Sequence, residues 1–154
     1  MVDIMVATIE DVIDLQNRLR KQDKDEVKAL ISVYSKKALE MCFRESDEVY
    51  SAKQDNNVIC MFGISKNSEG NGVPWLLGSD LVSDIPITFI RESRKYVREF
   101  LNEYGYLENY VDVRNELSIQ WLKWLGFKIE EPKPYGVEKR LFSRFTLGGV
   151  NKCV

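Results

Sequence analysis

Hydrophobic and polar positions along this chain change period several times, and each change marks an element. Ile4–Ala7 is an apolar run of strand length. Thr8 with Asp11 three residues on has the spacing of an N-cap box, and Val12, Leu15, Gln16 and Leu19 then trace one helical face. Asp23 with Glu26 gives a second cap signal. Beyond it Val27, Leu30, Ile31, Tyr34, Ala38, Met41 and Cys42 recur at i, i+3/i+4 and i+7, predicting one long helix to about Arg44. The period then drops to two. Glu48–Gln54 and Val58–Ser65 read as strands joined at Asp55-Asn56-Asn57, and the second is apolar on both faces, as a strand covered on both sides should be.

After the polar loop 66–72, Val73–Gly78 completes a run of three strands. Pro86 suits the first turn of a helix whose face carries Ile87, Ile90, Val97, Leu101 and Tyr104, with Gly105 as its stop. Leu107–Val113 is a strand, Asn115–Leu125 a short helix closed by Gly126, and Phe127–Glu130 and Arg140–Leu147 are strands around a Pro- and Gly-bearing loop. The order β-α-α-β-β-β-α-β-α-β-β predicts an α/β (α+β) fold: one mixed sheet with helices on both faces. The expected domain is 1–147, with 148–154 as a flexible tail.

Composition removes several chemistries. The 154 residues contain no histidine, so Ser-His-Asp and Cys-His nucleophiles are excluded and a general base must be a carboxylate, tyrosine, lysine or water. Cys42, Cys60 and Cys153 are too scattered for a disulfide framework or a zinc site, and no metal is expected. A formal net charge of -2 argues against a dedicated nucleic-acid binder. No apolar run reaches 18 residues and no basic leader precedes one, so no membrane association is expected, and the expected location is a cytoplasm.

Two segments carry a wider resemblance. The opening ATIEDVIDL and the block NELSIQWLKWLGF (Asn115–Phe127) are similar to the start and the late strand-to-helix segment of GNAT (Gcn5-related N-acetyltransferase) domains. On spacing alone, an amphipathic core helix accounts for the second block: Ser118, Leu122 and Leu125 share one face, and Leu117, Trp121 and Trp124 the next stripe. The resemblance implies a GNAT-like, mostly antiparallel sheet. It also exposes departures. Active members cradle the acetyl-CoA diphosphate on a Gly-rich loop, whereas no glycine lies between Gly78 and Gly105, and Asp80 and Asp84 stand where the anion would sit. The family's tyrosine acid falls at Leu122, which has no proton to give.

A closer resemblance joins CMFGIS (Cys60–Ser65), PWLLGSD (Pro74–Asp80), FIRESRKYV (Phe89–Val97), the long block Tyr106–Ile129, and Phe142 with Phe145. Over roughly residues 5–147 the chain resembles the internal virion protein A family of podovirus-type phages. That resemblance implies a morphogenesis or internal virion protein on a degenerate transferase scaffold, in the host cytoplasm or the particle, with other phage structural or assembly proteins as partners and no cofactor. The alternative is an active acyl-CoA-dependent N-acetyltransferase using acetyl-CoA, with Asp80 as base, and Asn115 and Ser118 as cofactor or substrate contacts by resemblance.

The remaining candidates are contacts. Arg91, Arg94, Lys95 and Arg98 form a basic stripe that would meet DNA, a nucleotide phosphate or an acidic partner protein, although Glu92, Glu99 and Glu103 flank it and suit a solvated face. Trp75, Trp121 and Trp124 would be core residues or, if surface-placed, interface anchors. Asp112, Arg114 and Asn115 at a strand end suit either a site or a structural network.

Overall fold

A computed structural model describes residues 2–31, 35–84 and 87–149. In chain order the elements are β1 (Asp3–Val6), α1 (Ile9–Leu15), α2 (Lys21–Ile31), α3 (Ser35–Glu45), β2 (Glu48–Gln54), β3 (Asn57–Lys66), β4 (Gly72–Gly78), a 3-10 turn (Asp80–Asp84), α4 (Ile87–Tyr104), β5 (Tyr106–Asp112), α5 (Glu116–Trp124), β6 (Lys128–Ile129), β7 (Lys133–Tyr135) and β8 (Arg140–Gly148). Local chemistry sets the boundaries. Thr8 and Asp11 form the reciprocal cap that starts α1. Asp55 and Asn56 both adopt positive φ, at 52° and 65°, and make the tight β2–β3 turn. Gly126, at φ 99°, ends α5 and turns the chain into β6.

The strands form one eight-stranded sheet in the order β1-β2-β3-β4-β5-β8-β6, with β7 also pairing with β8. Every pairing is antiparallel except β4–β5, where Gly72 opposite Leu107 is the one paired position. Beyond it the two parallel strands diverge.

Alternation along β3, reset by the register shift where Ala52 and Lys53 pair with Cys60 and Val58, distributes the core over two faces. Val58 and Met61 pack with Val12, Leu15, Val27, Ala38 and Leu39 of α1–α3. Phe62 and Ile64 pack with Phe100 and Tyr104 of α4, and Ile119 and Leu122 of α5 join that side. Leu77 of β4 belongs to the first cluster and Leu76 to the second. Helices therefore cover both faces of the mixed sheet, as the sequence predicts. Among the described residues no helix is long and apolar enough to cross a membrane.

Some expectations change. The expected long helix is described over Lys21–Ile31 (α2), which starts ahead of Asp23, and Ser35–Glu45 (α3), and its middle, 32–34, lies outside the described residues. Tyr34 and Pro86 lie outside the described residues, as do 150–154 of the expected tail, whereas Gly148 pairs with Tyr106 at the end of β8. Asp23 caps nothing; it sits inside α2, 1% exposed, against Arg20. The expected loop after β6 contains the short strand β7, whose Tyr135 stacks on Tyr110 at a 3.8 Å ring separation.

Candidate functional site in the gap between two parallel strands

The divergence of β4 and β5 opens a cleft of about 150 Å3. Its walls are apolar, with Leu76 from β4, Phe89, Tyr96 and Phe100 from α4, and Trp121 and Leu122 from α5. Glu26 is the one carboxylate among its lining residues. A larger groove near Asp112 and Arg114 is shallower, and four of its charged residues pair with each other, Arg114 with Asp112 and Arg140 with Glu138.

Strand alternation determines which backbone groups face the gap. Ser79 N–H donates to Ile59 on β3, whereas Gly78 N–H donates to the Asp23 carboxylate on the opposite side. In a strand with period two and an unbroken register to β3, Pro74, Leu76 and Gly78 therefore present their backbone to the gap. On β5, Val113 N–H bonds Leu141 of the β8 side, so Tyr110 and Asp112 face the gap.

Most of these groups are already satisfied. Asn109 bridges the narrow end, accepting from Tyr110 N–H at 2.8 Å and donating to the Pro74 carbonyl at 2.7 Å. At the wide end Gly78 N–H goes to Asp23 at 2.8 Å, its carbonyl accepts from Arg20 N–H at 2.7 Å, and Asp112 N–H goes to Glu26 Oε1 at 2.7 Å. Pro74 has no N–H to offer. Leu76 N–H is thus the strand donor left facing the cleft.

The wide end is floored by a buried polar network. Arg20 and Asp23, 4% and 1% exposed, form a two-point ion pair with contacts of 2.7 and 3.1 Å. Arg20 also donates to Asn115 Oδ1 at 3.1 Å, and Asn115 Nδ2 lies 3.4 Å from Asp23. Glu26 sits one turn beyond Asp23. Burial pushes its carboxyl up to about 7; repulsion from Asp23 and Asp112 adds to that, and hydrogen bonds from Asp112 N–H and Asn115 offset part of it. A carboxyl held near neutrality in an apolar cleft can hold or release a proton at working pH.

The sequence candidates divide between the cleft and the surface. Ser118, Trp121 and Leu122 line the cleft, and Asn115 lies behind it, 2% exposed and engaged in the network. Asp80 is exposed on the 3-10 turn, away from the cleft lining, so the base position suggested by resemblance is not where the cleft is. Trp75 is half-buried and donates its indole N–H to Ser46 at 2.7 Å. Arg91 and Arg98 are exposed on α4. Arg94 covers Trp124, its guanidinium carbon 3.6 Å from the ring centroid, and donates to the Trp124 carbonyl. Asp112 and Arg114 pair at 2.6 Å, which favours a network over a site for those two. The sequence offers Glu26 only as the partner of a helix cap and does not single out Arg20, although Arg20, Asp23 and Glu26 at steps of three form a charged stripe on one helical face.

Known structures share this architecture. An N-acetyltransferase from Staphylococcus aureus Mu50 matches with a TM-score of 0.67 over 96% of this chain and 97% of its own, at 14% identity. A GNAT-family acetyltransferase from Streptococcus pneumoniae matches at 0.64, over 96% and 99%, at 15% identity. Aminoglycoside acetyltransferase AAC(6')-Ib, solved with coenzyme A, matches at 0.67, over 96% and 95%, at 14% identity. No family profile matches the chain, and no curated protein matches it in sequence. The fold is GNAT-like. The expected virion-assembly scaffold is overturned by these full-length acetyltransferase matches, and nothing found ties the chain to internal virion proteins. The expectation of no cofactor is likewise unsupported, since one structure of this fold is a coenzyme A complex.

Proposed function

We propose that this chain is an N-acyltransferase that moves an acyl group from a thioester to a primary amine in the β4–β5 cleft. The observation that carries the reading is the placement of Glu26, a near-neutral carboxyl, in the same apolar cleft as the gap-facing Leu76 N–H. The full-length similarity to acetyltransferases supports the same reaction class.

A thioester arm fits the cleft on two counts: its walls are apolar, and Trp121 Nε1 is buried there without a partner among the described residues. When bound, the thioester supplies an electrophilic carbonyl and a thiolate leaving group. The Leu76 N–H stabilises negative charge developing on the carbonyl oxygen. Ionised Glu26 takes the proton lost by the attacking amine as the N–C bond forms and the C–S bond breaks. Asp112 N–H fixes Glu26 Oε1 at 2.7 Å, which orients the carboxylate that takes that proton. Leu122 gives no proton, so the thiol, with a reference pKa of about 8.5, departs as thiolate and takes its proton from water.

A thermal-shift titration with acetyl-CoA and CoA, followed by thiol-release assays over a panel of primary amines, tests this. Ligand at about 100 times its Kd should stabilise the fold by about 2.7 kcal/mol. Glu26→Gln should keep that shift and lose turnover. No shift at millimolar ligand retires the reading.

A further inference from the structure

We infer, resting on that reading, that the chain recognises its acyl donor through the neutral pantetheine and acyl portion alone, and that a nucleotide diphosphate adds nothing to binding. At the turn after β4, where the GNAT resemblance places the diphosphate loop, four backbone donors are spent internally. Gly78 N–H goes to Asp23 and Ser79 N–H to Ile59. Leu81 N–H goes to Ser79 Oγ at 3.3 Å, and Val82 N–H to the Ser79 carbonyl at 3.1 Å.

The glycine at this turn serves packing. A Cβ on Gly78 would stand 2.5 Å from Val82 Cγ2, so the missing side chain makes room for the turn itself and leaves no concavity for a phosphate. The 3-10 turn carries Asp80 and Asp84 and no basic residue, and both acids are exposed where they would repel an approaching diphosphate. Of the cations on α4, Arg94 is committed to Trp124 and Lys95 to Glu92, leaving Arg91 and Arg98 as exposed charges. By contrast, the cleft walls are apolar, and the unpartnered polar groups among them, Leu76 N–H and the buried Trp121 Nε1, are neutral donors of the kind that bond carbonyl oxygens.

Direct titration of the full chain with acetyl-CoA and with S-acetylpantetheine, which lacks every phosphate, separates the possibilities. The two Kd values should agree within about threefold, and the acetyl-CoA value should change less than about threefold between roughly 50 and 500 mM salt. The double variant Asp80→Asn/Asp84→Asn should tighten acetyl-CoA while leaving S-acetylpantetheine unchanged. Acetyl-CoA binding at least thirtyfold tighter than S-acetylpantetheine overturns the inference and leaves the acyltransferase reading standing. A thirtyfold preference abolished by Arg91→Ala overturns it too, by locating the phosphate contact. Failure of both ligands to bind overturns the reading and the inference together.

Discussion

Asp23 and Glu26, one helical turn apart on α2, each accept a backbone N–H from a different one of the two diverging strands: Gly78 of β4 at 2.8 Å and Asp112 of β5 at 2.7 Å. One helix thus spans the gap with two carboxylates, and the width of the cleft at that end is fixed by the i, i+3 spacing. The two acids differ in what opposes their charge. Asp23 has the Arg20 guanidinium, whereas Glu26 accepts from neutral donors.

Asp23→Ala leaves Arg20 buried without its counter-charge and Gly78 N–H without an acceptor. It should cost about 3–5 kcal/mol, read as a lowered urea midpoint. Asp23→Asn keeps an acceptor for Gly78 and should lose less.

Glu26 makes stability fall with rising pH. Its folded carboxyl titrates near 7, above the ordinary 4.5 of the unfolded chain. Below pH 4.5 both states are protonated and its contribution is complete. Between 4.5 and 7 the unfolded chain releases a proton that the folded chain keeps, so stability drops by about 3 kcal/mol and then levels off. Glu26→Gln should abolish that step, so the difference between variant and parent denaturation midpoints should grow through this window and flatten above it. In the amine-transfer assay, kcat/KM of the parent should rise through about pH 7 with the ionised fraction of the same group.

Leu76→Pro removes the gap-facing N–H without removing a hydrogen bond to β3, because position 76 turns its backbone away from that strand. Pro74, two residues earlier, already occupies an equivalent position. The variant should fold and lose about 10²–10³-fold in kcat, while Leu76→Ala, which keeps the N–H, should retain most turnover. Equal losses in the two variants would remove the backbone from the mechanism.

Gly126→Ala tests the fold alone. The residue sits at φ 99°, and a Cβ added there would meet nothing within 4 Å. The cost is therefore backbone strain of about 1 kcal/mol, seen as a lower Tm with kcat unchanged.

The sheet was legible in the sequence because its cues are local: the Asp55-Asn56 turn, the two-faced apolar run of β3 and the Gly126 stop all act within a few residues. The cleft was not. Glu26 reads in sequence as the partner of a helix cap three residues before it, and only the long-range approach of Gly78 and Asp112 reveals both acids as strand acceptors. Leu76 has no side-chain signal at all, since its role depends on which way a peptide group points once β4 and β5 part. Asp80 shows the converse: it falls at a suggestive position along the chain, and the 3-10 turn carries it out to solvent. Asn115 and Trp121 were legible as members of a block, and their division into network and wall depends on helix rotation.

A gap between two strands inside a sheet is also a pair of raw edges, and such edges invite an extended segment from another chain to pair into them. Here that invitation is withdrawn group by group. Pro74 offers no donor, the Asn109 amide occupies the narrow end like a one-residue strand, and Asp23 and Glu26 take the donors at the wide end. With Leu76 the donor left on β4, the opening can take a single carbonyl but not a ladder. The chain can therefore keep a sheet parted in its middle without becoming a template for strand invasion and aggregation.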